Sequence, residues 1–219
     1  MDKMRLLFSK TGRAVYISHL DLMRTLTRAF LRADCRLKYS EGFNPHPNIS
    51  IALPLSVGAE SVCEIMEFKL IEEKSPDEIL SALKSQLPEG IEALHVYESE
   101  RKVKELKWIK ICGVFEYDNT DAEKMANKLN EFYSAESIVI SKKTKRGIAD
   151  SDIKPAIKQI EFEAKGNDVL VSAIISAQEP TLNPELLCDA VRQLKPEFAP
   201  DFAKFKRLEV FDAQMEVFR

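Results

Sequence analysis

The sequence predicts an α+β protein built as two ferredoxin-like (βαββαβ) units in tandem, each an antiparallel sheet with helices on one face. Three observations carry this expectation. Short segments alternate apolar and polar residues with the period of a strand, and longer ones repeat apolar residues with the period of a helix. These segments follow one another as β-α-β-β-α-β, and the order then recurs. The charged run Glu98–Lys107 separates the two rounds. The expected domains are therefore residues 1–100 and 105–219, and a chain of 219 residues is long enough to give each a core.

The first unit opens with a strand over Met4–Phe8. Ser18 is placed to cap a helix, with Asp21 at the third helical position in a weak form of the capping box. The helix runs to about Ala33, because Leu22, Leu26, Ala29, Phe30 and Ala33 fall on one face. Lys38 and Tyr39 lead into Gly42-Phe43-Asn44-Pro45-His46-Pro47, which cannot be helical. Each proline fixes its own φ and pushes the preceding Asn44 or His46 into an extended conformation, so the loop is stiff. Two strands, Ile49–Leu55 and Val62–Leu70, follow around a turn near Gly58. Ser75-Pro76-Asp77-Glu78 starts the second helix with a cap, a proline and a glutamate in order. Ile91–Tyr97 completes the unit.

The second unit begins with a strand over Trp108–Phe115 and a capping box at Thr120–Glu123 that opens a helix to about Tyr133. Ser137–Ser141 and Ile157–Ala164 read as strands, with an extra strand or long loop between them. Gly166-Asn167 turns the chain into Val169–Ser176. Asn183-Pro184-Glu185 starts the last helix, and Lys206–Phe211 is the last strand.

Composition narrows the function classes. No run of about 18 apolar residues exists, so no membrane span is expected, and the first residues enter a strand pattern rather than a signal peptide. Cys35, Cys63, Cys112 and Cys188 are scattered without a Cys-x-x-Cys pair, which leaves disulfide, zinc and iron–sulfur sites without their spacing. The cysteines read as small buried apolar groups, Trp108 reads as core, and the expected location is the cytoplasm. No metal or cofactor is expected. The net charge of −3 hides an asymmetry: residues 1–50 carry nine Lys/Arg against four Asp/Glu. A local basic face can still attract a polyanion, because a Debye length of roughly 8 Å screens distant charge.

Four features carry possible chemistry. Arg24, Arg28 and Arg32 recur every four residues, forming one row that rises roughly 6 Å per step opposite the apolar face. A solvated helix face accounts for such a row, and so does a phosphate grip using the bidentate guanidinium fork. His19, His46 and Tyr16 are the titratable candidates for acid–base cleavage of a phosphodiester, or else ordinary exposed groups. Phe43 can stack on an unpaired base or plug the loop onto the core; the plug is the expected arrangement. Lys142, Lys143, Lys145 and Arg146 read as a basic hairpin tip or loop within residues 142–158. No His-x-x-x-His, glycine-rich phosphate loop or Gly-x-Ser-x-Gly elbow is present.

The segments Ile17-Ser-His-Leu-Asp-Leu-Met-Arg24, Tyr39-Ser-Glu-Gly-Phe-Asn-Pro-His-Pro-Asn-Ile-Ser50 and Leu53-Pro-Leu-Ser-Val-Gly-Ala-Glu60 strongly resemble the bacterial radical-SAM-linked protein family. Lys145-Arg-Gly and Asp152-Ile-Lys-Pro155 are similar to that family's second block. The block usually reads Asp-Ile-Arg-Pro, so Lys154 keeps the charge and loses the fork; Asn48 likewise stands where Lys is common. The resemblance implies a domain of unknown function, beside or fused to a cobalamin-binding radical SAM protein, in a genetic setting of ribonuclease and ribosomal proteins. It therefore implies a non-catalytic accessory module that presents RNA or a ribosomal component to that partner. The chain lacks the partner's Cys-x-x-x-Cys-x-x-Cys motif. Nucleic-acid contact is expected at Arg24, Arg28, Arg32, Phe43, Asn44, His46, Lys142, Lys143, Lys145, Arg146 and Lys154. Two alternatives stay open: a metal-independent endoribonuclease using His19 and His46, and a pure protein-interaction scaffold.

Overall fold

The computed structural model describes residues 3–118, 120–144 and 147–219. It is a mixed α and β fold with antiparallel strand pairing and, among the described residues, four α-helices. The chain divides into two compact units, Met1–Val103 with Arg219, and Lys104–Phe218.

The first unit contains β1 (Met4–Lys10), α1 (His19–Arg32), β2 (Ile49–Ile51), β3 (Glu60–Phe68), α2 (Pro76–Lys84) and β4 (Ile91–Glu98). Its strands lie in the order β4-β1-β3-β2, every neighbouring pair antiparallel. Leu6 and Phe8 on β1 and Met66 and Phe68 on β3 bury one face of this sheet under Leu22, Leu26 and Phe30 of α1 and Ile79 and Leu83 of α2. The helix period of the apolar residues in α1 is thus the core stripe. Ser18 Oγ accepts the amide of Asp21, and Ser75 forms a complete capping box with Glu78.

β2 is shorter than the strand expected over Ile49–Leu55. The ladder continues one more step, where the Ala52 amide donates to the Ile65 carbonyl at 2.9 Å, and then Pro54 supplies no donor. The chain leaves the sheet edge instead, and the Gly58 amide reaches the Val15 carbonyl at 2.9 Å.

The second unit contains β5 (Leu106–Glu116), α3 (Ala122–Tyr133), β6 (Val139–Thr144), β7 (Gly147–Asp152), β8 (Ile157–Lys165), β9 (Asp168–Ser176), α4 (Glu185–Leu194) and β10 (Phe202–Asp212). Four strands form an antiparallel set in the order β10-β5-β9-β8. β6 and β7 pair as a separate two-stranded hairpin, which resolves the expected extra strand or loop as a strand. Strict alternation on β5 buries Ile109, Ile111 and Phe115. Phe115, Phe162 and Tyr133 pack ring against ring, at 5.6 Å and 5.3 Å between centroids.

The third helix is capped by Asp121 rather than Thr120, because the Asp121 carboxylate accepts the Lys124 amide at 3.1 Å. Trp108 is half-buried rather than core, with the Lys158 ammonium 5.2 Å from its ring. Cys35, Cys63 and Cys188 are buried, while Cys112 is half-exposed because it lies on the other face of β5. Burial pushes the Cys188 thiol up to about 12, so it is held as a neutral apolar group.

Candidate functional site

Strand register fixes where the candidate residues of the first unit lie. β1 runs from Met4, opposite Phe68, to Lys10, opposite Ser61, a span of roughly 20 Å. The chain leaves the Lys10 end through a short 3-10 turn, Gly12–Tyr16, and enters α1 at His19. α1 then returns toward the Met4 end: the segment after it bridges Leu37 to Leu70, two residues beyond Phe68. Ile49, just after the proline loop, is also opposite Phe68. The proline loop and the C-terminal end of α1 therefore share the Met4 end, and His19 with Tyr16 lies at the other.

The proline loop is the tip of a small hairpin. Tyr39 bridges Pro47, the Asn48 amide donates to the Lys38 carbonyl at 2.7 Å, and the Ser40 amide donates to the His46 carbonyl at 2.8 Å. The His46 amide donates to Ser40 Oγ at 3.1 Å, and His46 Nδ1 lies 3.0 Å from the same oxygen and 3.4 Å from the Asn44 carbonyl. These contacts occupy Nδ1 within the loop and leave Nε2 for a ligand. Ser40, absent from the expected site residues, is what orients the ring; its only sequence signal is a hydroxyl ahead of the Gly-Phe-Asn-Pro-His-Pro run. Residues 41–46 are all exposed. Phe43 does not plug the core as expected; it is 113% exposed, since hydrogen bonds and prolines rather than an apolar anchor hold the loop.

Along α1, the side chains of Arg24, Arg28 and Arg32 are all exposed. Arg24 pairs with Asp21 at 3.1 Å, and Arg32 donates to the Gln86 carbonyl at 2.5 Å. Arg28 makes no hydrogen bond or ion pair within the described residues. Further cations at the Met4 end are already engaged: Arg36 with Glu72, and the Lys74 ammonium with the Asp34 carbonyl.

The Lys10 end is organised by a buried cation. Lys10 continues the phase of Leu6 and Phe8, is 2% exposed, and donates from Nζ to the Val15 carbonyl at 3.0 Å. Burial pulls its ammonium below the ordinary value, and the neighbouring Glu64 carboxylate opposes that. Val15 also accepts the Gly58 amide, so a single carbonyl ties β1, the 3-10 turn and the loop before β3 together. Tyr16, Leu20 and Val57 are exposed around this junction.

In the second unit, Asp152 is a structural pin. Its carboxylate accepts the Ile138 and Lys154 amides, both at 2.9 Å, which hold it below the ordinary carboxylate range. Lys154 turns its ammonium onto the Tyr133 carbonyl, where a cation offsets the C-terminal dipole of α3. The ammonium expected to contact nucleic acid is thus engaged at a helix end. Gln193 of α4 clamps β6, accepting the Ser141 amide at 2.9 Å and donating to the Ser141 carbonyl at 3.1 Å. Beyond that clamp Lys142 is half-exposed and Ile148 is 81% exposed. Lys145 and Arg146 lie outside the described residues, as does the side chain of Lys143. Among the described residues, no group of three or more His, Cys, Asp or Glu is placed to hold a metal ion, and no helix is long and apolar enough to cross a membrane.

The chain belongs to the family DUF2344, described as an uncharacterized protein conserved in bacteria, whose family model matches residues 3–184. No curated protein matches the chain in sequence. Among solved structures, it is similar to a chain of a Cbf5-Nop10-Gar1 complex at 13% identity, with a TM-score of 0.50, covering 94% of this chain and 48% of that one. This chain thus spans about half the length of that relative, and the likeness concerns the fold alone. A second similar structure is an unknown protein from Galdieria sulphuraria, at 10% identity and a TM-score of 0.27, covering 94% of this chain and 98% of that one.

Proposed function

We propose that this protein is a non-catalytic RNA-binding module that presents RNA or a ribosome-related substrate to a partner radical SAM enzyme in the cytoplasm. The observation that carries the RNA half of this reading is the exposed arginine row on α1, in which Arg28 makes no hydrogen bond or ion pair among the described residues. A surface cation held only by solvent is available for a phosphate, and Arg offers two parallel donors to it. The partner half rests on the motif resemblance. The strand orders β4-β1-β3-β2 and β10-β5-β9-β8 support reading each unit as ferredoxin-like, with β6 and β7 as an insertion.

The nuclease alternative needs His19 and His46 within reach of one phosphodiester. They stand at opposite ends of a strand of roughly 20 Å, and proton transfer needs hydrogen-bond distance. Binding without cleavage is the reading the geometry supports. The test is direct binding of the full chain to labelled RNA at low salt, with R24A/R28A beside it. The double variant weakens binding by about tenfold or more while folding normally. Absence of RNA binding by the wild type at low salt sinks the reading. Failure of the radical SAM protein to co-purify from native lysate sinks its partner half.

A further inference from the structure

We propose that Phe43 is a stacking platform for an unpaired base, so that the RNA recognised is a single strand or a loop rather than continuous duplex; this deepens the RNA-binding reading and rests on it. Among the described residues Phe43 is the most exposed large apolar side chain, at 113%. Its loop is nonetheless fixed, by the Ser40–His46 pair of backbone and side-chain hydrogen bonds, the Tyr39–Pro47 bridge and two prolines. A ring held out on a stiff loop loses little freedom when a partner covers it. Gly42, with φ of +125°, allows the turn that brings the ring to the tip.

The neighbours of the ring favour a base over an apolar protein pocket. Asn44 offers an amide with donors and an acceptor, and His46 offers Nε2, since Nδ1 is engaged within the loop. Both are exposed beside Phe43, where they can reach a base edge or a 2′-hydroxyl. An aliphatic pocket would meet two polar groups with nothing to satisfy them. In a continuous A-form duplex the faces of the bases are covered by their neighbours, so a ring that binds by its face requires a base that is unstacked. The hairpin also shares the Met4 end of the sheet with the C-terminal end of α1, as the Leu37–Leu70 bridge and the Ile49–Phe68 pair establish. A strand following the arginine row from Arg24 to Arg32 travels roughly 12 Å toward that end.

The experiment measures affinity of the full chain for a short labelled single-stranded RNA and for the duplex of the same sequence, at one low salt concentration. The proteins compared are wild type, F43A, F43W, F43L and R28A. Because Phe43 touches nothing in the core, the three Phe43 variants keep the wild-type melting temperature. F43A is expected to lose about 5- to 150-fold on the single strand and nothing on the duplex. F43W is expected to retain single-strand affinity, and F43L to lose it. R28A weakens both RNAs. If F43A binds the single strand as well as wild type while R28A weakens both RNAs, the RNA reading stands and the stacking role is overturned. Retained affinity in F43L also overturns it, since leucine keeps apolar contact without a ring face. If wild type binds neither RNA, the RNA reading fails and the stacking role with it; loss of a co-purifying protein from F43A would then assign the ring to a protein pocket.

Discussion

Arg5 and Glu67 show how a charge is kept inside the first unit. Arg5 is fully buried on β1, and its guanidinium donates to Glu67 at 3.0 Å and to the Arg101 carbonyl. Lys3 adds a second cation to Glu67 at 2.9 Å. Desolvation pushes the Glu67 carboxyl up, but the hydrogen bonds from Lys3 and Arg5 outweigh it and hold the group below its ordinary value of 4.5. A carboxyl with a depressed folded value stabilises fully above its unfolded value, and that stability is lost as pH falls through the depressed one. Glu67→Gln is therefore expected to cost about 2 kcal/mol at neutral pH, because it leaves Arg5 buried beside a neutral amide. The difference between the variant and wild type narrows as pH falls below 4.5, which denaturant melts at neutral and acidic pH would measure. Phe43 makes the converse point at the same scale. Its residue type and neighbours were readable as a stacking group, but its exposure was not, because nothing local distinguishes a ring turned outward from one folded back.

Among the elements, the Ser18 and Ser75 caps were the most legible parts. Ser75 Oγ accepts the Glu78 amide and the Glu78 carboxylate accepts the Ser75 amide, as the Ser-Pro-Asp-Glu order predicts. Ser75→Ala is expected to lower stability by about 1 kcal/mol, read as a lower melting temperature. Element ends were less legible. β2 stops at Ile51 because Pro54 and the Gly58–Val15 bond draw the chain away from the sheet edge. That tertiary hydrogen bond has no counterpart in local periodicity. The Asp-Ile-Lys-Pro motif shows the same division. Its similarity to a family block was visible, whereas its work lies in tertiary contacts, with Asp152 holding two amides and Lys154 at the C-terminal end of α3.

At the scale of the whole molecule, a protein of net charge −3 can bind a polyanion only through a local field. With three arginines as the grip, the logarithm of RNA affinity is expected to fall with the logarithm of salt at a slope of about −2 for a single strand. Arg28→Ala should reduce the magnitude of that slope by about 0.7. A slope near zero would show that the arginine row does not contact phosphate. The order of most strands and helices, the helix faces, the Ser18 and Ser75 caps, the stiffness of the proline loop and the arginine row were legible in the sequence by itself. Each follows from interactions between residues close along the chain, where φ restriction and side-chain period act directly. The folded chain alone reveals that His19 and His46 stand at opposite ends of a strand, that Phe43 faces solvent and that Lys154 is engaged. Those outcomes depend on strand register and on hydrogen bonds between segments far apart in sequence, which local pattern does not encode.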